Sequence, residues 1–123
     1  MSAPDVLIVD DDPDMLETMQ LLLHRDGYPC RTASNGVEAL AQVAAARPGM
    51  VLLDMVMPVM NGWETAHALR EKYGKTIAII AVTASEHAGM RAAEAGADAV
   101  LAKPFDIAEL RGLVERHLGP ASA

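Results

Sequence analysis

Short apolar runs recur along the chain at Val6 to Val9, Met50 to Leu53, Ile77 to Val82 and Ala99 to Ala102, with a weaker one around Tyr28 to Thr32. Within each run there is no polar alternation, as expected of strands covered on both faces. The intervals between them have helical spacing. In the first, Met15, Leu16, Met19, Leu22 and Leu23 share one arc of a helical wheel, while Asp14, Glu17, Gln20, His24 and Arg25 fall outside it. Leu21 points the wrong way and is expected to be exposed. The later intervals place Val37, Leu40, Ala41 and Ala44 on one face, then Trp63, Ala66, Leu69 and Tyr73, then Ile107, Leu110, Val114 and Leu118. Ala88 to Ala95 is mostly alanine and shows little pattern. Trp63, at the start of the third helix, is expected to be partly core.

Local punctuation supports these boundaries. Pro13 suits a first helical turn, Asn35 to Glu38 and Asp106 to Glu109 have capping-box spacing, and Gly27, Gly74, Gly96 and Gly119 follow the expected helix ends. Gly112 inside the last helix costs roughly 1 kcal/mol relative to alanine. Five strand–helix units of this kind predict a doubly wound α/β domain, with five helices covering a five-stranded parallel sheet. No internal repeat or linker is evident, so residues 1–123 are expected to form one domain. Its core spans about 5–118, Pro120 to Ala123 form a tail, and no effector domain follows.

A net charge of −7 disfavours direct contact with nucleic acid or an anionic membrane, both of which present negative charge. Protein or cation partners suit it better. The longest apolar stretches fall far short of the roughly 20 residues a membrane span needs. A single cysteine, Cys30, cannot close an internal disulfide, and no export signal is visible, which makes a cytoplasmic location the expectation.

The chemistry gathers at strand ends. Ligands of open α/β sheets bind outside the carboxyl ends of strands, where strand order reverses. There the first strand runs into Asp10, Asp11 and Asp12, the third ends in Asp54, the fourth in Thr83 and the fifth in Lys103. With strand order 2-1-3-4-5 these ends surround one shallow site. Carboxylates about 4 Å apart repel by roughly 4 kcal/mol at an effective dielectric near 20, so the cluster calls for a cation. Oxygen-only ligation suits Mg²⁺ or Mn²⁺ rather than zinc. Taken singly, each residue has an ordinary explanation: an aspartate before a helix caps it, a threonine belongs in strands, and a lysine is usually solvated. Their joint placement has none. His24, His67, His87 and His117 fall on four different helices without ligand spacing and read as surface residues.

The stretches "VDDDPD" at 9–14, "LLDMVMPVMNG" at 52–62, "AVTAS" at 81–85 and "LAKPF" at 101–105 resemble, in order, the four signatures of the response-regulator receiver family. The similarity runs from Asp5 to Leu118. It implies the flavodoxin-like form of the fold and a phosphorylation-dependent switch. Asp54 would be the phosphoacceptor, receiving a phosphoryl group from a sensor histidine kinase or a histidine phosphotransfer protein. Asp11 would ligate Mg²⁺ directly, Asp10 mostly through water, and Val56 through its backbone carbonyl, while Asp12 starts a helix. Thr83 and Lys103 would engage the phosphoryl group, and the Lys103–Pro104 bond would be cis. Helix one, with Met15 as its apolar residue to watch, would be the docking face for the donor, although core packing explains Met15 about as well. Such a protein catalyses its own phosphorylation and dephosphorylation but turns over no separate substrate. One position departs from the family: Val100 stands three residues before the lysine, where an aromatic or histidine is usual, so a changed or weaker signal through that face is expected.

Two other classes compete. A Mg²⁺-dependent aspartyl-phosphate hydrolase uses similar groups, but it needs more chain to enclose a substrate and takes its nucleophile from the first strand. A receiver-like binding scaffold without phosphorylation would not need the full set of Asp10, Asp11, Asp54, Thr83 and Lys103.

Overall fold

The computed structural model describes residues 5–57, 59–84, 90 and 94–119. Five parallel strands, β1 (Val6–Val9), β2 (Cys30–Ala33), β3 (Met50–Asp54), β4 (Ala78–Thr83) and β5 (Ala99–Ala102), form one sheet in the order β2-β1-β3-β4-β5. The weak second run was expected two residues early. Tyr28 lies before the strand and is buried, its hydroxyl donating to Gly119 O at 2.8 Å. Four helices are described: α1 (Pro13–Arg25), α2 (Gly36–Ala45), α3 (Gly62–Tyr73) and α4 (Ile107–Leu118). The fifth expected helix, around Ala88 to Ala95, falls largely outside the described residues, as does His87. No described helix is long and apolar enough to cross a membrane.

The period of two along each strand sorts the core into two layers. Leu7, Val9, Val51, Leu53, Ile79 and Ala81 face α2 and α3. Val6, Ile8, Met50, Leu52, Ile80, Val82 and Leu101 face the other way, toward α1 and α4. Burial of both faces is why the runs read as unbroken.

Helix α1 follows its wheel: Met19 and Leu23 are buried, Met15, Leu16 and Leu22 pack partly against the core, and Leu21 is exposed. Helix α2 does not. Its buried residues are Gly36, Ala39 and Val43, with Leu40 partly covered, whereas Val37 is 56% exposed and Ala41 and Ala44 face outward. This segment, GVEALAQVAA, is apolar almost all round, so periodicity could not select its inner face. Close approach selects it instead. A Cβ on Gly36 would lie 2.9 Å from the backbone oxygen of Met60 and would also clash with the Thr65 hydroxyl.

The caps explain where the helices begin. Asp106 and Glu109 form the expected capping box on α4, and Asn61 and Glu64 form a further one on α3 that the sequence reading passed over. Asn35 accepts from Glu38 N at 2.8 Å, but the Glu38 carboxylate turns to Ser34 Oγ at 2.9 Å, which leaves only half a box. Gly27, Gly74, Gly96 and Gly119 all have positive φ.

Two glycine-to-alanine substitutions should act in opposite directions. Gly36→Ala forces backbone apart and should destabilise the domain by about 2 kcal/mol. Gly112→Ala meets nothing within 4 Å and should stabilise it by about 0.5–1 kcal/mol. Urea unfolding of both variants against the parent chain checks the pair.

Candidate phosphoacceptor site

The sheet assembles the site by extending its own alternation. Asp10 continues the row of Val6 and Ile8, Asp54 that of Met50 and Leu52, and Lys103 follows two residues after Leu101, so all three side chains emerge on the α1 side. Cross-strand hydrogen bonds fix their level: Asp10 N donates to Ala33 O at 3.1 Å, Met55 N to Val82 O at 3.1 Å and Lys103 N to Thr83 O at 2.8 Å.

One carboxylate oxygen from each of Asp10, Asp11 and Asp54 lies within 4.8 Å of the others. Asp10 and Asp54 are 2% and 6% exposed, while Asp11 is open to solvent. Lys103 Nζ stands 3.5 Å from Asp10 Oδ2 and 3.9 Å from Asp54 Oδ2, one ammonium against three carboxylates. Backbone amides hold the remaining oxygens of the buried pair, with Asp12 N donating to Asp10 Oδ1 at 2.9 Å and Val56 N to Asp54 Oδ1 at 3.2 Å. Asp12 itself caps α1, accepting from Asp14 N at 3.0 Å. Thr83 is buried at the end of β4, and the Lys103–Pro104 peptide is cis.

At 4.8 Å or less, each pair of ionised carboxylates repels by at least roughly 3 kcal/mol at an effective dielectric near 20. Burial, the largest cause, pushes the Asp54 carboxyl up to about 6. The Val56 amide opposes this, Asp10 adds to it, Lys103 opposes it and Asp11 adds again. A hard divalent cation suits such a cluster. The donors are all carboxylate oxygens, the set a hard cation such as Mg²⁺ takes, and among the described residues no thiol or imidazole joins the group. Cys30, partly buried on β2, has its thiol pushed up to about 11 by burial and by Asp5.

Beside Lys103 an apolar groove of about 570 Å³ opens between α1 and the β5–α4 connection, lined by Met15, Thr18, Leu22, Ala84, Pro104, Phe105 and Ile107. Met15 is half-buried, packing partly against the core as well as lining this groove. Val100 sits on the edge strand β5 with its side chain partly exposed. Val59 also went unnoticed in the sequence: its φ is +71° and its side chain is 81% exposed, and no residue type there signals either feature.

The carboxyl edge of this doubly wound parallel sheet thus gathers an acidic cluster, a buried hydroxyl and a lysine at its switch point. The chain belongs to the response regulator receiver domain family, whose profile matches residues 6–115. Curated relatives include the transcriptional regulatory protein PrrA of Mycobacterium leprae, 38% identical over 119 residues, covering 96% of this chain and 51% of that protein. The response regulator MprA of Mycobacterium ulcerans is 39% identical over 107 residues, covering 85% of this chain and 46% of that one. The chain therefore spans about half the length of these relatives. Among solved structures, Vibrio cholerae chemotaxis protein CheY4 superposes with a TM-score of 0.88 at 32% identity, covering 95% of this chain and 100% of that one. A CheY-like receiver domain protein from Methanospirillum hungatei gives 0.89 at 28% identity, covering 95% and 94%.

The raised Asp54 carboxyl has a signed consequence for stability. A proton held more tightly in the folded than in the unfolded chain favours folding at low pH, fully so below the ordinary value of 3.8, and that contribution is lost as pH rises through about 6. Asp54→Asn is never charged and keeps it. Without divalent metal, the melting temperature of Asp54→Asn should exceed that of the parent by a margin that grows from pH 4 to pH 7, and Mg²⁺ should shrink the margin by raising the parent more than the variant. Melting curves at stepped pH check this, and a margin independent of pH would contradict it.

Proposed function

We propose that Asp54 accepts a phosphoryl group from a phosphohistidine and that the resulting acyl phosphate switches the surface around β4 and β5. The observation that carries this reading is the convergence of Asp10, Asp11, Asp54 and Lys103 at one sheet edge, with the acceptor carboxylate almost buried. Asp10, Asp11, Asp54 and the Val56 carbonyl would hold a Mg²⁺ ion, or Mn²⁺ in its place, and the ion would supply neutralisation of phosphoryl charge.

The chain's own groups do the rest. One Asp54 oxygen forms the new O–P bond as the N–P bond of the phosphohistidine breaks, its electron pair returning to the imidazole nitrogen. The Val56 amide orients the Asp54 carboxylate through Oδ1. Lys103, already between Asp10 and Asp54, neutralises the incoming phosphoryl oxygens. Thr83 offers its hydroxyl to the same oxygens. Because Lys103 N donates to Thr83 O, the ends of β4 and β5 move together, and a pull on Thr83 is passed to the neighbouring edge strand. With valine at position 100 that edge strand carries no ring to bury, so the shift it reports is smaller or different.

This role entails no turnover of a separate substrate and a cytoplasmic location, where phosphohistidine donors act. A sensor kinase or histidine phosphotransfer protein is the donor, its helix lying in the groove beside Met15. Direct contact with nucleic acid is not assigned to this acidic segment.

Intact mass after incubation with acetyl phosphate tests the acceptor. One phosphoryl group should be gained only with Mg²⁺ present and only when Asp54 is intact, with no gain in Asp54→Asn; sustained phosphate release would favour a hydrolase instead. Met15→Asp should keep acetyl phosphate labelling and lose transfer from a phosphohistidine protein, measured as the rate of label transfer. An unchanged rate would remove helix α1 from the docking face.

A further inference from the structure

The apolar pattern specifies the level of β5 only weakly. Of its four residues Leu101 alone is buried, Val100 and Ala102 are exposed and Ala99 is half-buried. A strand with so little on its inner face can slip along its neighbour unless something else fixes it. Yet the level of β5 decides where Lys103 stands, because the lysine follows directly on the strand's last residue.

A clamp at the amino end supplies that constraint. Asp98, the residue before β5, is bound twice to Ile79 of β4: its amide donates to Ile79 O at 2.7 Å, and its carboxylate accepts from Ile79 N at 2.8 Å. The same carboxylate oxygen accepts from the Arg70 guanidinium of α3, whose side chain is only 13% exposed. The other Arg70 donors reach three backbone oxygens, those of Gly96 and Gly74 at 2.8 Å and of Ile77 at 2.6 Å. Gly74 and Ile77 flank the turn into β4, and Gly96 lies just ahead of β5. One planar fork therefore holds the amino ends of both strands against α3. The fit is close: Gly96, with φ +102°, passes so near that a Cβ there would come 2.9 Å from Arg70 Cγ.

At the carboxyl end the consequence falls on Lys103. Its contacts with Asp10 and Asp54, at 3.5 and 3.9 Å, leave little room to lengthen. A slip of one residue would turn the side chain to the opposite face of the sheet.

We infer that Arg70 is a positioning residue for phosphoryl transfer, acting through Asp98 to hold β5 at the level that places Lys103 between Asp10 and Asp54. It touches neither donor nor acceptor. The inference rests on the reading of Asp54 as acceptor.

The test follows labelling by acetyl phosphate in two variants. Arg70→Lys has a single ammonium that cannot span the acceptors of the fork. Asp98→Asn keeps an acceptor for the Ile79 amide but weakens the pairing with Arg70. Each should slow labelling about tenfold, within the range that displacing a catalytic group by up to an ångström costs. In a Lys103→Ala background, followed over longer incubation, neither should slow it further. Mg²⁺ affinity, measured by calorimetry, should hold or rise, since none of the proposed ligands stands on β4 or β5 and a displaced ammonium competes less. Unchanged labelling in either folded variant overturns the inference. So does equal slowing in the Lys103→Ala background, or a fall in Mg²⁺ affinity, each of which would make Arg70 a support of the whole sheet. If Arg70→Lys does not fold, Asp98→Asn alone decides. Failure of the parent to be labelled at Asp54 would instead overturn the acceptor reading.

Discussion

Mutual repulsion among Asp10, Asp11 and Asp54 is the constraint on which the rest of the structure turns. Three carboxylates within 4.8 Å of one another do not stay together unaided. They are held by a parallel sheet whose two faces are buried in apolar side chains, because β1 and β3 cannot separate without breaking both core layers. The sheet's stability thus sustains a local arrangement that is unfavourable by itself. That is what makes the site responsive: a group that lessens the repulsion, whether proton, cation or the Lys103 ammonium, is bound with the free energy the cluster had stored.

The same economy governs the surroundings of Asp54. Burial raises its carboxyl to about 6, with a backbone amide and a lysine opposing that shift, so the group gives up its proton just below neutral pH. Glycines let the β3–α3 connection lie this close to its neighbours: Gly62 against β3, and Gly36 against Met60 and Thr65. The strained turn at Val59 belongs to the same tightly drawn loop.

Much of the candidate site was legible as residues. Asp10, Asp11, Asp54, Thr83 and Lys103 stand at the ends of apolar runs, and once the runs are parallel strands in one sheet, alternation brings Asp10, Asp54 and Lys103 to one side. The inner face of α2 was not legible, because a helix apolar on nearly every side has no preferred direction until Gly36 meets α3 and the loop before it. The capping of α2 was read only in part, since Ser34 competes for the Glu38 carboxylate. Nothing in the identity of Val59 announces its positive φ.

The sequence by itself therefore determined the class of fold, the order of its elements and the chemical groups available at the sheet's edge. Those follow from local periodicity, capping and the position of polar residues relative to apolar runs, all of which act over a few residues. Tertiary structure decided which face of α2 is buried, how far Asp54 sinks from solvent, that Lys103 lies between Asp10 and Asp54, and that Val59 is forced outward. Each of these depends on distances between segments remote along the chain, and such distances are fixed only when the two core layers close.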